Sequence, residues 1–217
     1  MQNSCHSIKK ECFFYFPLVS SLLVTGKEPH GIPWDDRNDL TSWEKESVAF
    51  YLEYRREVQH YLRTPRELTG LEEWSYFEAL ITHLDSVIDR SAVHPGDLIF
   101  RGVRDDFTKL LLFLLSVDPL KHREDGFHRI TPQVIQDPGY CSFTKDARKL
   151  VSKSREDTRI LFVHQTRSSD HALNIGGKDF ELLYPRSFLW VATGFEYIAT
   201  GTMNTVFISI EPFSGGM

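Results

Sequence analysis

Cysteine is scarce in this chain: three residues in 217, at positions 5, 12 and 141. Two lie together near the N-terminus and the third stands far from them, so no disulfide framework is implied. Cysteine and histidine in paired ligand spacing are missing as well. His164, Asp170 and His171 come close in sequence, but a polar loop accounts for them and no metal is expected. Like charges never run beyond a few residues, which excludes an acidic or basic tail. With a formal net charge of −5 there is no basic excess, so a nucleic-acid surface is not expected. The apolar stretches 12–24 and 110–115 are too short to span a bilayer, which takes roughly 20 residues. Internal repeats and low-complexity segments are also lacking.

What is present has the balance of an ordinary globular protein, 41% hydrophobic and 25% charged. The length suits one well-buried domain with roughly 25–40 residues to spare. The domain is expected over 40–217, preceded by a segment and linker over 1–39. Lys9 and Lys10 before the apolar run 12–24, with Gly26 after it, have the layout of a cleaved secretory signal. Glu11 and Pro17 run against that layout, and the other reading is an apolar segment that packs on the domain or binds a chaperone before export.

Thr41-Ser42-Trp43-Glu44 has capping-box form and opens a helix that runs to about residue 63, where Thr64-Pro65 stops it. Trp74, Phe77, Leu80, Ile81, Leu84, Val87 and Ile88 form the apolar stripe of a second helix. A turn at 94–97 leads into a strand over 98–103, followed by a helix over 105–117. Residues 126–138 read as irregular with a short strand, 140–143 as a strand and 145–153 as a helix. Short β-rich runs then occur at 160–163, 180–184, 188–192, 195–200 and 205–210. Helices first and strands later predict an α+β fold with a mainly antiparallel sheet.

Three short pieces carry the chemistry: Ile99-Phe100-Arg101-Gly102, Tyr140-Cys141-Ser142-Phe143-Thr144, and Asp179-Phe180-Glu181-Leu182-Leu183. They are 41 and 39 residues apart, too far to be one local feature. Arg101 at a strand end can hold a phosphate through two parallel N–H donors, which lysine does less well. The competing reading is an edge-strand arginine paired with Asp105 or Asp106. Ser142 and Thr144, two apart on a strand, project to one face, although Thr144 also suits a helix N-cap. Asp179 and Glu181 would likewise share a face, as a catalytic pair or as a solvated strand face.

In order and spacing these pieces resemble the Arg–Ser–Glu class of mono-ADP-ribosyltransferases, the toxins and effectors that split NAD and pass ADP-ribose to a protein side chain. The resemblance spans about residues 41–210. It implies N-terminal helices packed on a split β-sandwich, NAD as substrate and no metal. It implies that Arg101, Gly102, Ser142, Phe143 and Thr144 bind NAD, with Gly102 allowing close backbone approach and Ser142 also ordering Glu181. Glu181 would stabilise the oxocarbenium-like centre formed when nicotinamide leaves, and Asp179 would prepare the acceptor, arginine in many members. Asp179 departs from the family, which has a longer Glu or Gln there. Two other outcomes follow from that departure or from fold reuse: an NAD glycohydrolase, or an inactive binding module. The polar stretch 165–177 would contact nicotinamide and the target, with Gln165, Arg167 and His171 as candidates. The partner implied is a host target protein. The protein would be a monomer, secreted or translocated into a host cell and acting in the host cytosol.

Overall fold

The computed structural model of the chain describes residues 32–64, 71–103, 105–118, 121, 126–147, 150, 158–176, 181–200 and 203–213. The signal-like segment, Asp179 and most of the helix expected over 145–153 lie outside them.

Thr41 opens the first helix as its neighbours predict. Its hydroxyl accepts from the Glu44 amide at 3.3 Å, and the Glu44 carboxylate accepts from the Thr41 amide at 2.8 Å. The single helix expected to residue 63 is instead two, α1 (Ser42–Glu53) and α2 (Arg55–Arg63), separated at Tyr54 with φ −108° and ψ 33°. Neither proline nor glycine marks this break, and the stripe Val48, Tyr51, Val58, Tyr61 is buried on both sides of it. At the break Tyr54 stacks on Phe50, and Arg55 turns toward the sheet. In α3 (Leu71–Asp89) Leu80, Ile81, Leu84, Val87 and Ile88 of the predicted stripe are all buried, and Phe77 is partly so.

Among the described residues eight strands follow: β1 (Leu98–Gly102), β2 (Phe127–Gln136), β3 (Cys141–Thr144), β4 (Thr158–Gln165), β5 (Leu173–Gly176), β6 (Glu181–Tyr184), β7 (Leu189–Thr200) and β8 (Met203–Pro212). Helix α4 (Asp105–Leu114) joins β1 to β2. The strands form one sheet in the order β2-β7-β8-β4-β1-β3-β6-β5, with only the β4–β8 pair parallel. The α+β class and mainly antiparallel sheet are as expected. Three strand expectations need correcting. Within 126–138, expected to be irregular with a short strand, Phe127–Gln136 form a ten-residue edge strand with a register shift between Arg129 and Gln133. The runs 188–192 and 195–200 are one strand, because the bulge at Ala192/Gly194 absorbs the interruption. Residues 173–176, expected within a loop, are β5, whose leucine and isoleucine are buried.

The sheet is hydrogen-bonded end to end yet behaves as two facing layers. Trp190 of β7 and Phe143 of β3 stand four strand positions apart, about 19 Å on a flat sheet. Their ring centroids are 5.3 Å apart. The sheet therefore coils on itself, and Trp190 also meets Tyr184 and His164 inside the coil, at 5.3 and 5.1 Å. This is the physical form of the split sandwich. On the outer face, Tyr140, Leu173, Ile175 and Leu183 pack against α1, α2 and α3 in a second core.

Gly194 lets β2 close on β7. A Cβ there would fall 2.1 Å from the Phe127 ring and 2.7 Å from the His128 carbonyl oxygen. The ring can swing aside, but the carbonyl is backbone. Gly194→Ala is expected to destabilise the protein by about 1–3 kcal/mol, the usual cost of overpacking. Urea unfolding with an unchanged midpoint would show that the β2–β7 seam is not packed this closely.

Candidate active site

The β3–β6 register pairs Thr144 with Glu181 and Ser142 with Leu183. Opposed residues share a face, so Ser142, Thr144 and Glu181 all lie on the side toward the helices. The Ser142 hydroxyl donates to the Glu181 carboxylate, which stands at the first residue of β6 with a fifth of its side chain exposed. Thr144 is buried, and its hydroxyl accepts from the Asp146 amide at 3.1 Å, a turn-capping contact. Capping and a place opposite Glu181 thus coexist in one residue.

Alternation sends the remaining candidates elsewhere. Phe143 is 1% exposed and faces the coiled interior against Tyr184 and Trp190, so its side chain is core. Its expected part in binding NAD reduces to its backbone. Phe100 pairs with Thr144, which puts Arg101 on the reverse side with Cys141 and Phe143. Arg101 accordingly donates to the Cys141 sulfur at 2.6 Å and to Asp137 at 2.5 Å, and has no hydrogen bond to Ser142 or Glu181. The Cβ direction of Gly102 is covered at ordinary contact distance by Leu150 and Leu161. The structure thus brings Ser142, Thr144 and Glu181 to one face of the sheet and turns Arg101 to the other.

Helix α2 supplies the link. Arg55, Gln59 and Arg63, spaced by four, form one ridge along the strand ends. The Arg55 guanidinium donates to both Glu181 oxygens, at 2.9 and 3.1 Å, and lies 5.6 Å from the centroid of the Tyr51 ring. Gln59 donates to the Tyr51 hydroxyl at 3.0 Å and to the Tyr140 carbonyl at 2.9 Å. Arg63 holds Asp137 through two donors, each at 2.9 Å. Asp137 thus joins Arg63 to Arg101, and it also accepts from the Gly139 amide at 2.9 Å. A Cβ at Gly139 would fall 2.1 Å from the Gln59 amide oxygen and 3.2 Å from an Arg63 guanidinium nitrogen, so a side chain there would displace the ends of both.

Burial opposes the charge on Asp137, but the two guanidinium groups and the amide overcome it and hold the carboxyl below its ordinary pKa. Burial pushes the Cys141 thiol up against the pull of Arg101, so it stays a neutral thiol at neutral pH. Three arginines against two carboxylates leave this row with a net positive charge, a donor set that fits the pyrophosphate of a dinucleotide.

Of the other candidates, Gln165 donates to the Gly96 carbonyl, Arg167 pairs with Glu211, and His171 is exposed and bridges to Ala92. His164 and Asp170 are buried and bond each other at 2.6 Å, with Tyr184 donating to the same carboxylate oxygen. Sequence reasoning missed Arg55, Arg63 and Asp137. The signal was the four-residue spacing of Arg55, Gln59 and Arg63 beside the buried Val58 and Tyr61, a polar ridge too close to the core stripe to be wholly solvated.

This architecture is found in bacterial ADP-ribosyltransferases. C3larvin toxin from Paenibacillus larvae is similar at 19% identity with a TM-score of 0.54, covering 81% of this chain and 89% of that one. The C3 exoenzyme of Clostridium limosum is similar at 14% identity and TM-score 0.55, covering 80% and 87%. C3stau2 from S. aureus, solved with NAD, is similar at 13% identity and TM-score 0.57, covering 81% and 89%. No protein-family model and no curated protein matches the sequence. At these identities the likeness establishes the fold, and this chain has the fold of the ADP-ribosyltransferase toxins.

Proposed function

We propose that this protein is an NAD-dependent mono-ADP-ribosyltransferase that modifies a host protein, with arginine as acceptor, after secretion or translocation into the host cytosol. The observation that carries the reading is the contact between the Ser142 hydroxyl and the Glu181 carboxylate, made across β3 and β6 in this fold. It fixes a charged acid, partly exposed, beside a row of guanidinium groups suited to phosphates. The neighbour solved with NAD supports NAD as the substrate.

In this reading Glu181 faces the positive charge that develops as nicotinamide leaves, and Ser142 holds the carboxylate for that task. Arg63 and Arg101, fixed by Asp137, supply charge to the pyrophosphate, and Gly102 and Phe143 contribute through their backbone. Asp179 would draw the proton from the acceptor.

The test is incubation with labelled NAD and a eukaryotic lysate, with nicotinamide release followed in parallel. Label on arginine of a host protein is expected. Release without labelled protein would reassign the chain as an NAD glycohydrolase, and no release at all would reject the reading. Asp179→Ala should suppress labelling far more than hydrolysis by water. Equal loss of both would place Asp179 in the NAD site itself.

Ser142→Ala removes a hydrogen bond to a charged acceptor, worth about 1.5–3 kcal/mol. Transfer should fall roughly 10- to 100-fold, and unfolding free energy should fall by no more than the roughly 1.5–3 kcal/mol of that bond, because Arg55 still holds Glu181. Undiminished turnover would show that Ser142 does not position the acid.

A further inference from the structure

The contact between Arg55 and Glu181 places an arginine of the protein itself where an acceptor arginine would have to stand. The guanidinium donates to both oxygens of the acid and lies against the face of Tyr51. A carboxylate on one side and an aromatic face on the other make up a recognition pattern for guanidinium. The other arginines nearby are differently engaged: Arg63 and Arg101 are both committed to Asp137, and Arg186 is held by Asp85. Among the described residues Arg55 donates only to Glu181, and 39% of its side chain is exposed. It begins α2 directly after the break at Tyr54.

From this geometry we infer that Arg55 is an intramolecular acceptor, and that the enzyme ADP-ribosylates itself there. The inference rests on the transferase reading given above. The bond between the nicotinamide nitrogen and C1 of its ribose breaks, and the pair leaves with neutral nicotinamide. An Arg55 Nη atom forms the new bond to that carbon with its own pair. The proton it loses passes to water, and the Glu181 carboxylate keeps the charge that faces the developing oxocarbenium centre. One NAD is consumed, one nicotinamide and one proton are released, and the modified guanidinium keeps its charge. Tethering makes the step unimolecular, with the effective concentration that fixed proximity brings. The attached group brings two phosphates to the mouth of the site, so modification limits further turnover.

The full chain is incubated with NAD and no other protein, and nicotinamide, intact mass and the modified peptide are followed together. One ADP-ribose on Arg55 is expected, at a rate per molecule that does not change on tenfold dilution of the protein. Label should be absent from Arg55→Lys. Glu181→Gln, taken through the same steps, provides the unmodified reference mass. Nicotinamide release with no adduct, with an adduct elsewhere, or at a rate that falls with dilution would overturn the self-modification and leave the transferase reading standing. No nicotinamide release would overturn both.

Discussion

Replacing Glu181 with glutamine is expected to abolish ADP-ribosyl transfer while leaving the fold in place. The substitution keeps size and shape, and Ser142 can still donate to the side-chain oxygen, but the charge aimed at the oxocarbenium centre is gone. Losing one preorganised electrostatic contact of this kind costs about 10²–10³ in turnover, roughly 2.7–4 kcal/mol. Stability should barely move. The ion pair that is lost joins a 39% exposed arginine to a 20% exposed glutamate, and partly solvated pairs contribute about 0–1 kcal/mol. Nicotinamide release and protein labelling should fall together, because both need the same bond broken. A variant retaining a tenth or more of wild-type turnover would remove Glu181 from the chemistry. Thermal unfolding run alongside separates that outcome from simple misfolding.

The elements that were legible in the sequence were those in which local pattern and tertiary burial agree. The α3 stripe from Leu80 to Ile88 and the Thr41 capping box have this character, since spacing and cap chemistry act within a few residues. Ser142 and Glu181 were legible for a different reason: the order and spacing of the three pieces and the family resemblance they carry, to which strand alternation added that Ser142 and Thr144 share a face. Alternation alone could not place Arg101 relative to them, because the side on which a strand residue falls depends on register with its partner. Pairing Phe100 with Thr144 turns Arg101 to the reverse of the sheet, and nothing local to residues 98–103 encodes that pairing. The break at Tyr54 was hidden because the apolar period runs straight through it. Residues 173–176 looked like loop because asparagine and glycine interrupt the run, yet Asn174 turns its side chain to accept from the Gly176 amide and the strand forms around it.

Asp137 is where the site and the stability of the fold meet, and Asp137→Asn is expected to damage both. The carboxylate takes two donors from Arg63, one from Arg101 and one from the Gly139 amide, so it ties α2, β1 and the entry to β3 together. An amide keeps the shape but cannot balance two guanidinium groups, and Arg101, with 20% of its side chain exposed, is left with the neutral Cys141 thiol. Removing one partner of a largely buried charged cluster costs about 3–5 kcal/mol, and the partial exposure here puts the expected loss at the lower end. The loss should depend on pH. The native pKa of Asp137 lies below its ordinary value because the arginines outweigh burial. Its contribution is therefore complete above the unfolded pKa of about 3.9 and disappears as pH falls through the lower native value. The gap in unfolding free energy between wild type and Asp137→Asn should be widest near neutral pH and should close in acid. A gap that does not narrow as pH falls below the unfolded pKa would mean that shape at residue 137, and not charge, holds the arginines. Activity provides the second reading, since loosened arginines should raise KM for NAD well before kcat declines. If KM stays fixed while stability falls, Arg101 braces the sheet and takes no part in binding the dinucleotide.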